Sequence, residues 1–379
     1  RMMPNSDPFQ EQAGLTRDEM IALPPYSQED RHKNELLLPI IREQLKIARC
    51  NNQQIDNYFS RLGVDIDAIQ RLEDVPYMPV QMFKYFDLRT CPEHEIVKIL
   101  QSSGTTSGTP SRIPLDKATA LNQMKALKSI LSDYLGEKRK IFLVIDHEGI
   151  NSPEMAFSAR TAGVRGLSIY AKKILYLLKE EDGKLSLNMP VIQEILENYS
   201  HEEVYAFGFT YIIWTIFYEQ IKNEGIRFSF DDFTLFHGGG WKKMQELAVS
   251  KEMFSDKIAE VFHTQPANIL DFYGMAEQTG IIFVDCEFGN KHVPTFSQVI
   301  IRDPLTLEPC EIGKTGFIEV MSILADSYYD QAILTEDLGV LVGVDDCPCG
   351  RKGRYFRFVS RVEKAEPRGC GDTFRESSR

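Results

Sequence analysis

Asn268-Ile269-Leu270-Asp271-Phe272-Tyr273-Gly274-Met275-Ala276-Glu277 reads as a buried strand that stops at a glycine and delivers a carboxylate just beyond it. In α/β enzymes the carboxyl ends of the strands are where the chemistry is kept, so this stretch predicts both a fold and a place for a site. Outward from it, strand-like apolar runs occur at 140–146, 166–170 and 232–237, with helical periodicity at 117–131 and 191–199. Such alternation predicts an α/β fold, a mostly parallel sheet covered by helices. Beyond Gly280 the texture changes to short alternating runs at 297–302, 316–321, 339–344 and 354–360, which predict a smaller β-rich subdomain. Toward the other end, residues 1–26 are Pro-rich and polar and predict an irregular arm. Ser27-Gln28-Glu29-Asp30 supplies a hydroxyl cap and first-turn acids ahead of a helix at 35–50, and 52–61 predicts another. The expected division is an arm (1–26), an α/β core (27–280), a β-rich subdomain (281–362) and a tail (363–379).

The 379 residues, 43% hydrophobic and 26% charged, suit a globular enzyme with a large core. A formal net charge of −12 argues against a nucleic-acid backbone or an anionic membrane as the principal partner, because either would repel the chain. The opening Arg1-Met2-Met3-Pro4-Asn5 has no apolar core of the kind a secretory signal carries. The run Val204-Tyr205-Ala206-Phe207-Gly208-Phe209-Thr210-Tyr211-Ile212-Ile213-Trp214-Thr215-Ile216-Phe217-Tyr218 is too short for a membrane span and predicts a buried helix. Seven cysteines at irregular spacing do not suggest a disulfide framework; reduced thiols and a cytoplasmic location are expected.

Three further segments carry chemistry. Ser102-Ser103-Gly104-Thr105-Thr106-Ser107-Gly108-Thr109-Pro110 can turn backbone N–H groups and hydroxyls inward as a nest for an oligophosphate. It is not a G-x-x-x-x-G-K-[ST] loop, since no lysine follows its second glycine, and the competing reading is a Gly/Ser linker. Ala332-Ile333-Leu334-Thr335-Glu336-Asp337-Leu338-Gly339 places an acidic pair at an expected turn, and Arg361 follows in Phe358-Val359-Ser360-Arg361-Val362. Phe236-His237-Gly238-Gly239-Gly240-Trp241 offers a glycine turn.

In this order the motifs resemble the acyl-adenylate-forming superfamily of acyl-CoA synthetases, firefly-type luciferases and the adenylation domains of peptide synthetases. The Gly-rich loop matches its phosphate motif, Tyr273 to Glu277 its Tyr-Gly-x-x-Glu, and Asp337 the aspartate of its Thr-Gly-Asp, with Glu336 standing where the superfamily has glycine. Val75-Pro76-Tyr77-Met78-Pro79-Val80-Gln81-Met82-Phe83-Lys84 and Glu366-Pro367-Arg368-Gly369-Cys370 further resemble the acyl-protein synthetases of bacterial bioluminescence operons (LuxE), over nearly the whole chain. Phenylacetate-CoA ligases are the next nearest group, through Asp303-Pro304-Leu305-Thr306-Leu307-Glu308-Pro309 and Cys347-Pro348-Cys349-Gly350-Arg351.

The resemblance implies the fold of an adenylate-forming N-terminal domain and activation of a carboxylic acid, a fatty acid in the nearest relatives, by ATP and Mg²⁺. It implies that Ser102, Ser103, Gly104, Thr105, Thr106, Ser107, Gly108 and Thr109 hold the phosphates and that Glu277 binds Mg²⁺. Gly238, Gly239, Gly240 and Gly274 then line the adenine side, and Tyr273 offers a flat face and a hydroxyl near the adenine or α-phosphate. Asp337 accepts the ribose hydroxyls, and Arg361 donates to the ribose or α-phosphate. Part of 204–218 would line the acyl pocket. Full-length relatives carry a mobile C-terminal domain with an assisting lysine; here a short tail is expected instead. Its Gly369-Cys370-Gly371, near Lys364 and Arg368, makes a mobile thiol that cations favour as thiolate. By resemblance Cys370 is self-acylated and hands the acyl group to a reductase. The alternatives are transfer to coenzyme A or a carrier protein, and a non-catalytic nucleotide- or acyl-binding relative.

Cys286, His292, Cys347 and Cys349 together supply three sulfurs and one imidazole, the ligand set of a closed tetrahedral zinc site. The competing reading is a buried strand cysteine beside a tight C-x-C turn. Cys50, Cys91 and Cys310 suggest no partners.

Overall fold

The structure, a computed structural model, describes residues 14–102, 109–155 and 158–362. A short strand, β1 (Met78–Pro79), precedes an antiparallel hairpin of β2 (Ile96–Gln101) and β3 (Arg112–Asp116). Ser102 and Ser111 close the base of the loop between them: the Ser102 N–H donates to the Ser111 carbonyl at 3.2 Å and the Ser111 N–H to the Ser102 hydroxyl at 3.0 Å.

Seven strands follow: β4 (Lys140–His147), β5 (Ala171–Glu181), β6 (Lys184–Leu187), β7 (Glu203–Phe209), β8 (Asp232–Gly238), β9 (Ile269–Tyr273) and β10 (Phe283–Val284). They form one sheet in the order β10-β9-β8-β7-β4-β5-β6. The five central strands are parallel and the two edge strands antiparallel to their neighbours. Ile141, Phe142, Leu143, Val144, Val204, Tyr205 and Leu235 are fully or almost fully buried, as expected of strands covered on both faces. The chain leaves β4 toward β5 on one side, then crosses to β7, β8 and β9 on the other. The strand order therefore reverses between β4 and β7, and the space beyond the carboxyl ends of two such strands is where sheets of this kind bind ligands.

A second sheet contains β11 (Lys291–His292), β12 (Ser297–Arg302), β13 (Thr315–Ser322), β14 (Ala332–Val344) and β15 (Arg354–Arg361), antiparallel in the order β11-β15-β14-β13-β12. β1 joins it parallel to β14, with Met78 opposite Ile333 and Pro79 opposite Leu334. The α/β class with its β-rich sheet is as the sequence predicts.

Local chemistry explains the helices. Asn52 ends the helix Asp30–Asn51 and opens Gln53–Leu62, accepting the N–H groups of Gln54 and Ile55, and Gly63 at φ 66° stops the second helix. Asp116 caps Lys117–Leu135 through the Thr119 N–H at 2.8 Å. Leu37, Ile41, Leu45 and Ala48, spaced to share one face, bury the first helix.

Several expectations are corrected. Residues 166–170 are not a strand: Ser158 caps the helix Ala159–Leu167, and a 3₁₀ turn continues to Tyr170. A short apolar run does not distinguish the two structures, and the Tyr205 hydroxyl holds the helical form by donating to the Leu167 carbonyl. The run 204–218 divides, because its β-branched and aromatic first half pairs as β7 and only Thr210–Tyr218 is helical, with a π turn at Ile213–Tyr218. Ser27 caps nothing; its hydroxyl donates to the Pro24 carbonyl, and the Asp30 N–H is instead received by the carboxylate of Asp345 at 3.1 Å. Within the expected irregular arm, Arg17–Ala22 is a helix, because Thr16 and Glu19 form a reciprocal capping box.

Finally, Thr335-Glu336-Asp337 is not a turn but part of β14. The register with β13 passes from Phe317 opposite Leu338 to Glu319 opposite Leu334, two residues along one strand for four along the other. The three residues are therefore a bulge inside a strand, a device that re-aims side chains beside active sites. Among the described residues no helix is long and apolar enough to cross a membrane.

Candidate active site

The bulge aims Asp337 at the carboxyl end of β9. The Tyr273 hydroxyl donates to Asp337 Oδ2 at 2.7 Å, and Arg361, directly opposite Asp337 on β15, donates from Nε to Oδ1 at 3.1 Å. Thr335 fixes the bulge: its hydroxyl donates to the Ile318 carbonyl at 2.6 Å and accepts the Asp337 N–H at 3.1 Å. Burial, and then the neighbouring Asp337 carboxylate, push the Tyr273 phenol well above its ordinary range, so it remains a donor. Its ring is flanked by Phe283 and Phe358, with centroids at 6.1 and 5.7 Å. The two sheets thus meet at one carboxylate.

Beyond Gly274 the chain makes the 3₁₀ turn Ala276–Gln278, which the second sheet holds. The Tyr328 hydroxyl donates to the Glu277 carbonyl at 2.8 Å, and the Gln278 amide to the carbonyls of Asp330 and Val320. Glu277 is only 7% exposed. Burial raises its carboxyl above 4.5, and nearby Asp337 adds to this, while its own backbone N–H, the Ser111 side chain and the Lys84 ammonium oppose it. A buried carboxylate that is costly to ionise is a fit acceptor for a hard divalent cation, which would supply counter-charge. Ser111 belongs to the base of the loop at 102–111, so the described part of that loop abuts Glu277. Ser102 is half-buried there and Thr109 exposed; Ser103, Gly104, Thr105, Thr106, Ser107 and Gly108 lie outside the described residues.

The glycine turn lies at the end of β8. A Cβ on Gly238 would come within 2.9 Å of the Phe272 carbonyl, so β8 and β9 approach there only because that residue is glycine. Gly239 and Gly240 have φ of 82° and 61°, and Lys242, two residues on, also lies in the left-handed region at 49°. This backbone carries the Lys242 ammonium back over the rings of Phe209 and Tyr211, 4.8 and 5.6 Å from their centroids. Desolvation lowers its pKa, and the charges of Arg160 and Arg361, which lie within electrostatic reach, lower it further. Arg160 is anchored by Asp146 from the end of β4. In the same region His237 is held neutral, its pKa pushed down to about 4 by burial.

Sequence reasoning missed Lys242, although its place immediately after a glycine turn and Trp241 is a usable signal. It also missed the role of 75–84. Tyr329 and Tyr58 donate hydroxyl bonds to the carbonyls of Pro76 and Tyr77, and β1 docks on β14. Gln81 thereby donates to Glu336 Oε1 at 2.5 Å, which gives this carboxylate of the bulge a partner.

Cys286, His292, Cys347 and Cys349 are also brought together, around the β14–β15 turn and the start of β15, whereas Asp337 pairs with Arg361 at the other end of that strand, with Cys286 Sγ 3.8 Å from Cys347 Sγ and Cys349 Sγ 3.3 Å from His292 Nε2. Cys370 lies outside the described residues. A cleft of about 590 Å³ elsewhere, lined by Asp18, Lys125, Asp133 and Glu137 among others, touches none of these groups.

Comparison with known proteins places these observations. The acyl-protein synthetase family, LuxE, matches residues 17–378. The long-chain-fatty-acid–luciferin-component ligase of Vibrio harveyi is 25% identical over 347 residues, 90% of this chain and 87% of the relative. The protein of the same description from Aliivibrio fischeri is 23% identical over 345 residues, covering 89% and 87%. Among solved structures, an open conformation of 2-hydroxyisobutyryl-CoA ligase in complex with 2-HIB-AMP and CoA superposes with a TM-score of 0.66 at 15% identity, over 92% of this chain and 82% of that one. It shares the fold.

Proposed function

The chain belongs to the acyl-protein synthetase (LuxE) family, and from that premise we propose that it activates a long-chain fatty acid with ATP and transfers the acyl group to its own Cys370. The observation that carries the reading is the convergence of Tyr273 and Arg361 on Asp337 at the carboxyl end of β9. A carboxylate already ordered by two donors, with lone pairs to spare, suits the paired hydroxyls of a ribose.

Two displacements make up the reaction. A carboxylate oxygen of the acid attacks the α-phosphorus of ATP; the new P–O bond forms as the bond to pyrophosphate breaks. The Cys370 thiolate then attacks the acyl carbon, the C–O bond to AMP breaks, and the thiol proton is released to solvent. The first step brings a negative nucleophile to a polyanion, so charge compensation dominates it. The loop at 102–109 supplies N–H and hydroxyl donors to the phosphates, and Gly238 to Gly240 with Tyr273 and Gly274 form the adenine side. Arg361 and Lys242 provide the cations near the α-phosphate, and Glu277 would hold Mg²⁺, which would supply positive charge to offset that of the phosphates. Part of the helix Thr210–Tyr218 lines the acyl pocket. The acyl group then passes to a partner, a reductase or a carrier protein, in the cytoplasm.

The test is incubation of the full chain with ATP, Mg²⁺ and a radiolabelled long-chain fatty acid, followed by a denaturing gel and by acid-dependent pyrophosphate exchange. Label that stays on the chain, is released by neutral hydroxylamine and vanishes in Cys370→Ser, with exchange retained, is the expected result. Exchange without retained label assigns the acyl group to coenzyme A or a carrier instead. Loss of both exchange and label overturns the reading.

A further inference from the structure

The four metal-type side chains lie away from the candidate active site, and their arrangement is more specific than proximity. Their ligand atoms all fall within 4.8 Å of one another. A tetrahedral zinc ion with bonds of about 2.3 Å to sulfur and about 2.05 Å to nitrogen holds its ligand atoms about 3.8 Å apart (S to S) and about 3.6 Å apart (S to N). The corresponding separations here are 3.8 Å for Cys286 and Cys347 and 3.3 Å for Cys349 and His292.

The backbone around the sulfurs is folded for thiolates. The Phe288 N–H donates to Cys286 Sγ and the Arg351 N–H to Cys349 Sγ, each at 3.4 Å and each from the second residue after the cysteine. Gly289 closes the first turn with its N–H on the Cys286 carbonyl, and Gly350 the second on the Cys347 carbonyl, both at 2.9 Å. Both glycines have the positive φ, 74° and 88°, that such tight turns demand. The Asn290 amide adds a donor at 3.5 Å to Cys347 Sγ. N–H donors stabilise a charged thiolate more than a neutral thiol, whose sulfur accepts only weakly, so the pattern suits the outer shell of a metal site. Cys286, His292 and Cys347 are buried, which suits a closed structural site without an open position.

We propose that Cys286, His292, Cys347 and Cys349 bind one zinc ion that ties the β10–β11 connection to the β14–β15 turn. The ion closes the joint between the two sheets at a point remote from the chemistry. β14 and β15 are also the strands that carry Asp337 and Arg361, while Lys291, next to His292, pairs with Asp271 at 2.9 Å on the strand that carries Tyr273. The site therefore braces the elements that meet at Asp337, and it stands independently of what reaction occurs there.

The experiment is metal analysis of the purified full chain after dialysis, with a mercurial titration in the presence of a chromogenic chelator. About one zinc per chain is expected, released as the thiols are titrated, with under about a tenth of that in Cys347→Ser and no loss in Cys310→Ser. Should Cys347→Ser fail to fold, the wild-type chain stripped by a strong chelator and reloaded with Co²⁺ keeps the question open to decision. The visible absorption of tetrahedral cobalt–thiolate, displaced by zinc, supports the site. Wild-type chain that holds neither zinc nor cobalt, or that holds zinc undiminished in Cys347→Ser, overturns it.

Discussion

Removing one hydroxyl, in Tyr273→Phe, tests how the candidate active site is built. The bond it deletes is 2.7 Å long and ends on a carboxylate whose side chain is 12% exposed, so little water is available to replace the lost donor. Hydrogen bonds to charged groups contribute about 1.5–3 kcal/mol, and a single neutral donor on one oxygen belongs near the lower end, about 2 kcal/mol. Arg361 contacts the other oxygen at 3.1 Å, but its side chain is 73% exposed, and exposed ion pairs contribute about 0–1 kcal/mol after solvent screening. The two donors to one carboxylate should therefore be unequal. Urea denaturation of the nucleotide-free protein, followed by tryptophan fluorescence, gives the comparison through two double-mutant cycles. Tyr273→Phe with Asp337→Ala should couple by about 1.5–2 kcal/mol, and Arg361→Ala with Asp337→Ala by less than about 0.5 kcal/mol. In ATP titrations the order should invert for Arg361, whose cation meets phosphate only when nucleotide is present, with affinity falling about tenfold for a loss of about 1.4 kcal/mol. A Tyr273–Asp337 pair additive within about 0.3 kcal/mol would refute the argument that this bond organises the site.

Glu277→Gln should abolish Mg²⁺-dependent pyrophosphate exchange while making the nucleotide-free protein more stable at neutral pH. The sign follows from the raised pKa of Glu277. Above pH 4.5 the unfolded chain ionises first, so the wild type loses stability as pH rises from there through the folded value, whereas the uncharged amide of the variant has no proton to lose. Thermal midpoints of the two proteins should separate as pH rises from 4 to 7, and a wild type that is the more stable at pH 7 without metal would contradict this. Lys242→Met keeps most of the stem that covers Phe209 and Tyr211 but removes the charge; exchange rate should fall about 10–100-fold, within the range of electrostatic contributions to such steps, with the thermal midpoint little changed. An unchanged exchange rate would remove Lys242 from the site.

Where burial on both faces dictates a strand, the sequence announces it. The runs at 140–146, 232–237 and 269–273 are mostly apolar and rich in β-branched and aromatic residues, and each becomes one of the parallel strands of the first sheet. Legibility fails where a distant partner decides. Leu167-Ser168-Ile169-Tyr170 fits either structure, and the helical form is held by the hydroxyl of Tyr205, far along the chain. The helix at Asp30 takes its cap from Asp345, on the turn after β14. Thr335-Glu336-Asp337 has the composition of a turn because a bulge needs the same short polar side chains; only pairing with β13 and β15 tells the two apart. For the site, Tyr273, Glu277, Asp337 and Arg361 were legible as motifs, but that one phenol and one guanidinium would share a single carboxylate was not. For Lys242 the glycine turn before it was a signal of position only, because its contribution depends on a left-handed backbone that sequence shows only for the glycines.

Glu336 stands where the superfamily resemblance leads one to expect glycine, and the structure shows how the bulge accommodates it. A glycine in a bulge is free to adopt strained backbone; a glutamate must adopt an ordinary one and place a carboxylate. Here the bulge keeps its shape through Thr335, whose hydroxyl bridges the Ile318 carbonyl and the Asp337 N–H, so glycine is not needed to turn the chain. The carboxylate in turn reaches Gln81, which stands where it does because β1 has paired with β14 and Tyr329 and Tyr58 hold the carbonyls of Pro76 and Tyr77. The Pro-rich segment at 75–84 and the acidic bulge therefore form one unit. Its Lys84 lies within electrostatic reach of Glu277, so the same unit also tempers the carboxylate assigned to the metal. A glycine at 336 would leave Gln81 without this acceptor and loosen the placement of Lys84, changing the pH at which Glu277 becomes an acceptor before it changed the fold.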